Sequence, residues 1–221
     1  MNGFPPLVKE PKPKPQPQGA TCLEDWKGWK LKDERKKAMW IPDALWEVNP
    51  FDIRSPEADD LRQYMWDLRE HYRDRKGLIL HGPYGSGKSA IAAMVLMVAA
   101  QNKIGGHYRK WIRADRWQKY VIEKTTYLPD CYHEYLVADT ARHADWLVID
   151  ELIPDSRDSF AIRELESLIR ERVENRLFTI ITTNASPAEW EERHPSLAAV
   201  FPQLGFVKFI DGYNWRTGER T

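Results

Sequence analysis

The stretch HGPYGSGKS, residues 81–89, has the residue types and the spacing of a phosphate-binding loop. Glycines at this spacing let backbone N–H groups turn inward around phosphates, and Lys88 would reach the terminal phosphate oxygens. The hydroxyl of Ser89 is of the kind that ligates Mg²⁺ beside a bound triphosphate. The pattern therefore predicts a site for a nucleoside triphosphate with Mg²⁺, formed by Gly82, Pro83, Tyr84, Gly85, Ser86, Gly87, Lys88 and Ser89.

An acidic pair ends the apolar run WLVIDE, residues 146–151. Carboxylates at the end of a buried strand lie at the edge of an open sheet where ligands bind. We expect Asp150 to hold Mg²⁺ and Glu151 to polarise an attacking water. An adjacent Asp-Glu pair favours hydrolysis over phosphoryl transfer to a small acceptor, because a kinase needs no base directed at water.

A neutral amide, Asn184, follows the β-branched run TIITT at residues 179–183. At the end of a strand it could hydrogen-bond the attacking water or the γ-phosphate. Taken alone, an Asn at this position favours an ordinary turn between strand and loop over a role in the site.

The elements that would position these residues alternate along the chain. Short apolar or β-branched runs at 78–81, 107–112, 146–150, 179–183 and 206–210 predict five strands, and helical periodicity predicts helices at 59–75, 89–101 and 160–175. This alternation predicts an α/β fold with a five-stranded parallel sheet flanked by helices on both faces.

Composition limits the alternatives. The 221 residues are predicted to form one folded domain, 41–221, behind a disordered Pro-rich tail, 1–22, and a basic Trp-containing segment, 23–40. That segment is a candidate docking site for a partner protein, or a solubilising extension. A formal net charge of zero argues against nucleic-acid binding by bulk charge alone, and two cysteines are too few for a disulfide framework. A cytoplasmic setting without a membrane span is expected.

In this order, the motifs GPYGSGKS, WLVIDE and TIITTN resemble the Walker A, Walker B and sensor-1 motifs of AAA+ P-loop ATPases. More narrowly, residues 41–216 are similar to the DnaC/IstB-like helicase loaders and insertion-sequence ATPases. IPDALWEVNPFDI resembles the segment that places an Ile, here Ile41, near the base of the nucleotide in that group. The resemblance implies an AAA+ core without a C-terminal helical lid domain.

The same resemblance implies a function and partners. It indicates a protein that binds ATP and ADP with Mg²⁺, assembles into a ring or helical oligomer, and acts on single-stranded DNA. The partner would be a replicative helicase, or a transposase in the IstB-like alternative. Family members carry an arginine shortly before the last strand that reaches a neighbour's nucleotide. Here that region, HPSLAAVFPQLGF, has none, and Arg193 is the nearest substitute, with Arg170, Arg172 and Arg176 as others.

A candidate DNA-binding patch lies in HYRKWIRADRWQKY, residues 107–120, which interleaves basic and aromatic residues. Basic residues can follow phosphates while aromatic rings stack on bases. The alternative is a solvated basic face beside buried tryptophans. The predicted contacts are Arg109, Lys110, Arg113, Arg116 and Trp117.

Two further functions remain open on the sequence. A P-loop small-molecule phosphotransferase would need an acceptor pocket and a mobile lid. A binding module would use ATP only as a ligand and would not turn it over.

Overall fold

The computed structural model of the protein describes residues 33–53, 56–106, 108–117, 121, 132–154 and 159–211. The predicted tail and residues 23–32 of the basic segment lie outside this part of the chain. Five strands form one sheet: β1 (Gly77–His81), β2 (Arg109–Arg113), β3 (Trp146–Leu152), β4 (Phe178–Thr183) and β5 (Gly205–Phe209). All five strand predictions are confirmed to within a few residues.

The sheet is entirely parallel, with the strand order β2-β3-β4-β1-β5. Strand β4 therefore lies between β1, which leads into the phosphate loop, and β3, which ends in the acidic pair. Because the strands are parallel, their carboxyl ends meet at one edge of the sheet. This edge collects all three predicted motifs.

Helices cover both faces of the sheet. They are α1 (Asp33–Ala38), α2 (Ala58–Trp66), α3 (Leu68–Arg73), α4 (Lys88–Gln101), α5 (Tyr132–His143), α6 (Ser159–Glu174), α7 (Pro187–Arg193), α8 (Pro195–Ala198) and α9 (Phe201–Leu204). Two 3₁₀ turns, Asp43–Leu45 and Pro50–Asp52, precede α2.

Each face carries its own apolar core. One core packs α2, α3 and α4 against the sheet through residues such as Leu61, Met65 and Met94. The other packs α5 to α9 on the opposite face and includes Leu168, Trp190 and Phe201. Strand residues buried on both faces explain why the strands are continuous apolar runs rather than alternating ones.

The helix expected at 59–75 is two helices. Asp67 adopts ψ 14° and ends α2, and α3 begins at the next residue. Both helices still bury the apolar stripe that the periodicity indicated, through Leu61, Met65 and Leu68. Among the described residues, no helix is long and apolar enough to cross a membrane.

Candidate active site

The phosphate loop joins the end of β1 to the start of α4. Gly87, the residue before the helix, has φ 90°, a left-handed conformation that glycine adopts without steric cost. Gly82 lies so close to the last strand that an added Cβ would stand 2.2 Å from the carbonyl oxygen of Ile210. The loop glycines thus permit both the inward turn of the backbone and the close packing of β1 against the chain after β5.

The side chain of Lys88 folds back onto the phosphate loop. Its Nζ donates to the carbonyl oxygens of Gly82 at 2.9 Å and Pro83 at 2.6 Å, and to the Ser86 hydroxyl at 3.3 Å. Burial lowers the pKa of Lys88 to about 8, opposed by the nearby carboxylates of Asp150 and Glu151. The ammonium group is therefore placed where a phosphate would take over its hydrogen bonds.

Asp150 connects the loop to the sheet. One carboxylate oxygen, Oδ1, accepts hydrogen bonds from the hydroxyls of Ser89 at 2.7 Å and Thr182 at 2.6 Å. Burial raises the pKa of Asp150, while these two hydrogen bonds act in the opposite direction. Ser89 and Asp150, the two predicted Mg²⁺ ligands, are therefore in direct contact.

Hard oxygen ligands of this kind suit Mg²⁺, which commonly binds through one or two protein oxygens together with phosphates and water. Ser89 and Asp150 would hold the ion beside the loop. When bound, Mg²⁺ neutralises charge on the phosphate oxygens.

Glu151 has a backbone conformation that is unusual in a strand. Its φ is 58°, and the pairing of β3 with β4 shifts register between Ile149 and Leu152. The hydroxyl of Thr182 accepts the Glu151 N–H at 2.9 Å in place of a ladder partner. Left-handed backbone at a non-glycine residue is costly and is concentrated at functional sites. Here it directs a carboxylate out of the sheet and into the site.

Arg113, at the end of β2, holds that carboxylate. Its Nη2 lies 2.7 Å from Oε2 of Glu151, and its guanidinium also donates to both carboxylate oxygens of Asp115 at 3.0 Å. The hydrogen bond from Arg113 to Asp115 is the main cause of the raised pKa of Arg113. Arg113 was predicted to contact DNA, and nothing in the sequence pattern indicated its contact with the candidate base.

These groups surround a pocket of about 370 Å³ at the carboxyl edge of the sheet. Five of the eight predicted loop residues line it, and so do Glu151, Asn184, Thr182 and Thr183. The apolar side of the pocket is formed by the first 3₁₀ turn, Asp43–Leu45, and by Val48 after it. The lining is Ala44, Leu45, Val48, Tyr84, Gly85, Gly87, Lys88, Ser89, Ala90, Glu151, Thr182, Thr183 and Asn184.

Ile41 does not line this pocket. It is 3% exposed and packs in the core beneath α4, and its carbonyl oxygen accepts the Trp46 indole N–H at 2.9 Å. The prediction that Ile41 itself contacts the nucleotide is wrong, whereas the segment IPDALWEV does supply the apolar wall through Ala44, Leu45 and Val48. These residues follow Ile41 by three to seven positions. The motif therefore identified the segment that lines the pocket but not the residues within it that do so.

Two of the five predicted DNA contacts, Arg109 and Trp117, are buried. Trp117 is fully buried, and Arg109 is 6% exposed with its Nη2 donating to the carbonyl oxygens of Ala99 and Ile104. These two residues were wrongly assigned to DNA, because neither can reach a ligand at the surface. Lys110 donates to the carbonyl oxygen of Ala38 at 2.8 Å and lies 4.0 Å from the Trp40 ring. The Lys110 ammonium group is therefore engaged by Ala38 at the end of α1 and by the Trp40 ring.

Arg113 and Arg116 are exposed, and so is the ring of Tyr108 at 67%. Arg113 is engaged by Glu151 and Asp115, and the contacts of Arg113 and Arg116 with DNA stay predictions. Residues 118–120 of the predicted patch lie outside the described part of the chain.

The candidate trans-acting arginines have different environments. Arg172 is fully buried, and donates to the carbonyl oxygens of Ala141, Ala144 and Phe178. It cannot reach a neighbouring molecule, so its candidacy is wrong. Arg170 is held by Glu166 and by the carbonyl oxygen of Ser196. Arg193, at the end of α7, is exposed and stays a prediction.

Comparison with known proteins places this geometry in a known fold. No family model matches the sequence, and no curated protein is significantly similar to it. Among solved structures, DnaI matches with a TM-score of 0.63 and 14% identity, over 82% of this chain and 98% of that one. The DnaC helicase loader matches with a TM-score of 0.59 and 23% identity, over 77% of this chain and 100% of that one.

The replication initiator DnaA, in a structure with AMPPCP and single-stranded DNA, matches with a TM-score of 0.55 and 15% identity. The match covers 75% of this chain and 51% of the DnaA chain. The chain thus shares the fold of these proteins, with the five-stranded parallel sheet flanked by helices that the sequence predicted, and its resemblance to helicase loaders is confirmed for the fold.

Proposed function

We propose that this protein is a DnaC-like AAA+ ATPase that loads a replicative helicase onto single-stranded DNA. The observation that carries the proposal is the contact of Ser89 with Asp150 beside Lys88, with the Glu151 carboxylate lining the same pocket. A phosphate loop, a Mg²⁺ site and a candidate base for water are what ATP hydrolysis requires.

The place of each residue around the pocket indicates its role in ATP hydrolysis. Lys88 and the loop backbone bind the β- and γ-phosphates, while Ser89 and Asp150 hold Mg²⁺. Glu151 orients and polarises water, and Asn184 at the end of β4 contacts the γ-phosphate or that water. The apolar wall of Ala44, Leu45 and Val48 receives the base.

Support for the helicase-loading role comes from the solved structures. The match to the DnaC helicase loader extends over that whole chain, and DnaA has been captured with a nucleotide analogue and single-stranded DNA. By that likeness, nucleotide-dependent self-assembly into a ring or helical oligomer is part of the proposal. Arg193 is proposed to reach the nucleotide of the neighbouring copy.

The first test is ATP turnover per protein molecule over a range of protein concentrations, with and without single-stranded DNA. We expect a specific rate that rises with concentration and with DNA, since a neighbour completes the site. Glu151→Gln should bind ATP normally and lose turnover, whereas Lys88→Ala should lose binding. A concentration-independent rate that DNA does not change would instead favour a self-contained phosphotransferase.

The partner is tested separately. Glu151→Gln with ATP should trap a complex with the replicative helicase of the same organism, measured by size-exclusion chromatography. Trapping of a transposase rather than the helicase would favour the IstB-like alternative. ATP binding without any turnover, alone or with DNA and helicase, would reduce the protein to a ligand-controlled binding module.

A further inference from the structure

A group of three arginines, Arg73, Arg75 and Arg176, lies at the amino edge of the sheet, opposite the nucleotide pocket. There α3 leads into β1 and α6 leads into β4, and both helices end in the same turn. Arg75 N–H donates to the Tyr72 carbonyl oxygen at 3.1 Å, and the next N–H, of Lys76, reaches back to His71 at 2.9 Å. After α6, the N–H groups of Arg176 and Leu177 make the equivalent bonds at 3.0 and 2.8 Å.

In both turns the left-handed position is occupied by arginine. The φ angle is 58° at Arg75 and 54° at Arg176. This position at the end of a helix is normally glycine, since a side chain is disfavoured there. Arginine occupies this unfavourable backbone conformation in the turns before two neighbouring strands, which points to a role for the side chain.

The two arginines share a cavity of about 290 Å³ with a third, Arg73. Its other walls are apolar or neutral, apart from one carboxylate. The full lining is Arg73, Asp74, Arg75, Val173, Arg176, Leu177, Gln203 and Leu204. The cavity is therefore lined by three arginines and a single acidic residue.

Few protein groups neutralise these charges. Arg73 Nε is 3.7 Å from Asp74 Oδ1, and the Arg75 guanidinium lies 4.6 Å from the centre of the Tyr72 ring. Within the described ranges the Arg176 side chain has no hydrogen-bond or ion-pair partner. A guanidinium presents five donors in a planar fork that matches phosphate oxygens.

Attraction to the negative end of a helix is the simplest alternative role for these arginines. That effect needs only a cation in the last helical turn, where Arg73 already stands in α3 and Arg172 in α6. It does not require a further arginine in the strained position after the helix. The negative carboxyl ends of α3 and α6 also repel an anion. Several arginines are therefore needed to overcome that repulsion.

We infer that this cavity binds a phosphate group, presented by a nucleic-acid strand or by a small phosphorylated ligand. Its volume lies at the lower limit for ligand pockets, which suits one phosphate with its adjoining sugar rather than a whole dinucleotide. Val173, Leu177 and Leu204 offer apolar contact to that sugar. The site is separate from ATP hydrolysis and does not depend on the function proposed above.

The test uses the double variant Arg75→Gly, Arg176→Gly in the full chain. Glycine suits both left-handed positions, so the melting temperature should be unchanged or higher. Lys103→Gly is the matched control, since Lys103 has φ 50° in the same type of turn after α4 and does not line this cavity. Saturating ADP with Mg²⁺ keeps the phosphate loop filled throughout.

Two probes identify the source of the phosphate. We expect the double variant to bind fluorescein-labelled oligothymidylate about tenfold or more weakly, as loss of charged hydrogen bonds implies. The slope of log affinity against log salt should become shallower by about 0.7, the value for one phosphate contact on a single strand. Calorimetric titration with inorganic phosphate is the second probe, and a loss seen with it alone would assign the cavity to a small phosphorylated ligand.

Equal affinities of the original chain, the double variant and Lys103→Gly for both probes would overturn the inference. A loss of the same size in Lys103→Gly would also overturn it, because the effect would then be one of general surface charge. ADP affinity should be equal in all three proteins, which keeps this test independent of the nucleotide site.

Discussion

Arg113 holds the carboxylate of Glu151, with 2.7 Å between Nη2 and Oε2. The two residues belong to adjacent parallel strands, and Arg113 pairs in register with Asp150. An arginine fixed by Asp115 thus engages the group that we assign as the base. In this arrangement the Glu151 carboxylate is held by a cation of its own chain and is not free to turn toward a water molecule.

Arg113→Ala is expected to raise the basal rate of ATP turnover. Both side chains are more than two-fifths exposed, at 44% and 43%, and an exposed ion pair contributes only about 0.2–1 kcal/mol. Releasing Glu151 therefore corresponds to a rise of up to roughly fivefold. Steady-state phosphate release at saturating ATP measures it.

Arg116→Ala is the control for this change, since Arg116 lies three residues further on and is exposed. It should leave the basal rate unchanged. A fall in turnover in Arg113→Ala would show that the arginine assists catalysis instead of restraining the base.

The loop and sheet were predictable because their signals are local. Buried parallel strands are continuous runs such as LILH, WLVID and TIITT, and the spacing of the loop glycines is fixed by the phosphates they surround. Strand order and the contact of Ser89 with Asp150 depend on long-range pairing. Their proximity was expected only because both residues were assigned to one Mg²⁺ site at the carboxyl edge of the sheet.

The assignment of Arg109 and Trp117 to DNA was wrong for a different reason. Interleaved basic and aromatic residues have the same sequence pattern whether the rings stack on bases or pack in a core. Here the carbonyl oxygens of Ala99 and Ile104 at the end of α4 accept the Arg109 guanidinium, so a charged residue is buried with its partners. No local feature of HYRKWI reveals those acceptors, because they come from a preceding helix.

Thr182→Val should disturb both members of the acidic pair. The Thr182 hydroxyl donates to Asp150 at 2.6 Å and accepts the Glu151 N–H at 2.9 Å. Valine has nearly the same shape but leaves a buried N–H without a partner, which costs about 1–3 kcal/mol. We expect that loss in the free energy of unfolding, together with a higher Mg²⁺ concentration for half-maximal turnover.

Thr182→Ser restores the hydroxyl and should restore most of both properties. Urea denaturation and Mg²⁺ titration of the ATPase rate measure them. Normal Mg²⁺ dependence in the valine variant would mean that Asp150 is positioned without Thr182.

Arg172→Met should destabilise the fold rather than the nucleotide site. Arg172 joins α5, α6 and β4 through the carbonyl oxygens of Ala141, Ala144 and Phe178 and the hydroxyl of Thr179. Methionine fills part of the space but leaves these acceptors unsatisfied, so we expect a loss of more than about 3 kcal/mol in unfolding free energy.

Arg170→Met, on the exposed side of the same helix, should cost less than about 1 kcal/mol. Urea denaturation of the two variants compares them directly. Similar small losses in both would show that Arg172 is not the internal link that its contacts indicate.

Nucleotide binding should weaken as the pH rises above the pKa of Lys88. Burial lowers that pKa to about 8 in the free protein, whereas phosphates at the loop would favour the charged ammonium. Below pH 8 the lysine is charged both before and after binding, so affinity is insensitive to it. Above pH 8 the free lysine is neutral, binding takes up a proton, and affinity falls by at most about tenfold per pH unit.

Calorimetric titration with ADP in EDTA, in buffers of different ionisation enthalpy, measures the proton uptake directly. Excluding Mg²⁺ keeps the titration free of changes in metal binding. Uptake should approach one proton between about pH 8.5 and 9.5 and vanish in Lys88→Met, whose remaining affinity should not vary over this range. Constant affinity of the original chain from pH 7 to 9.5 would mean that Lys88 keeps its charge in the free loop, held by the carboxylates of Asp150 and Glu151.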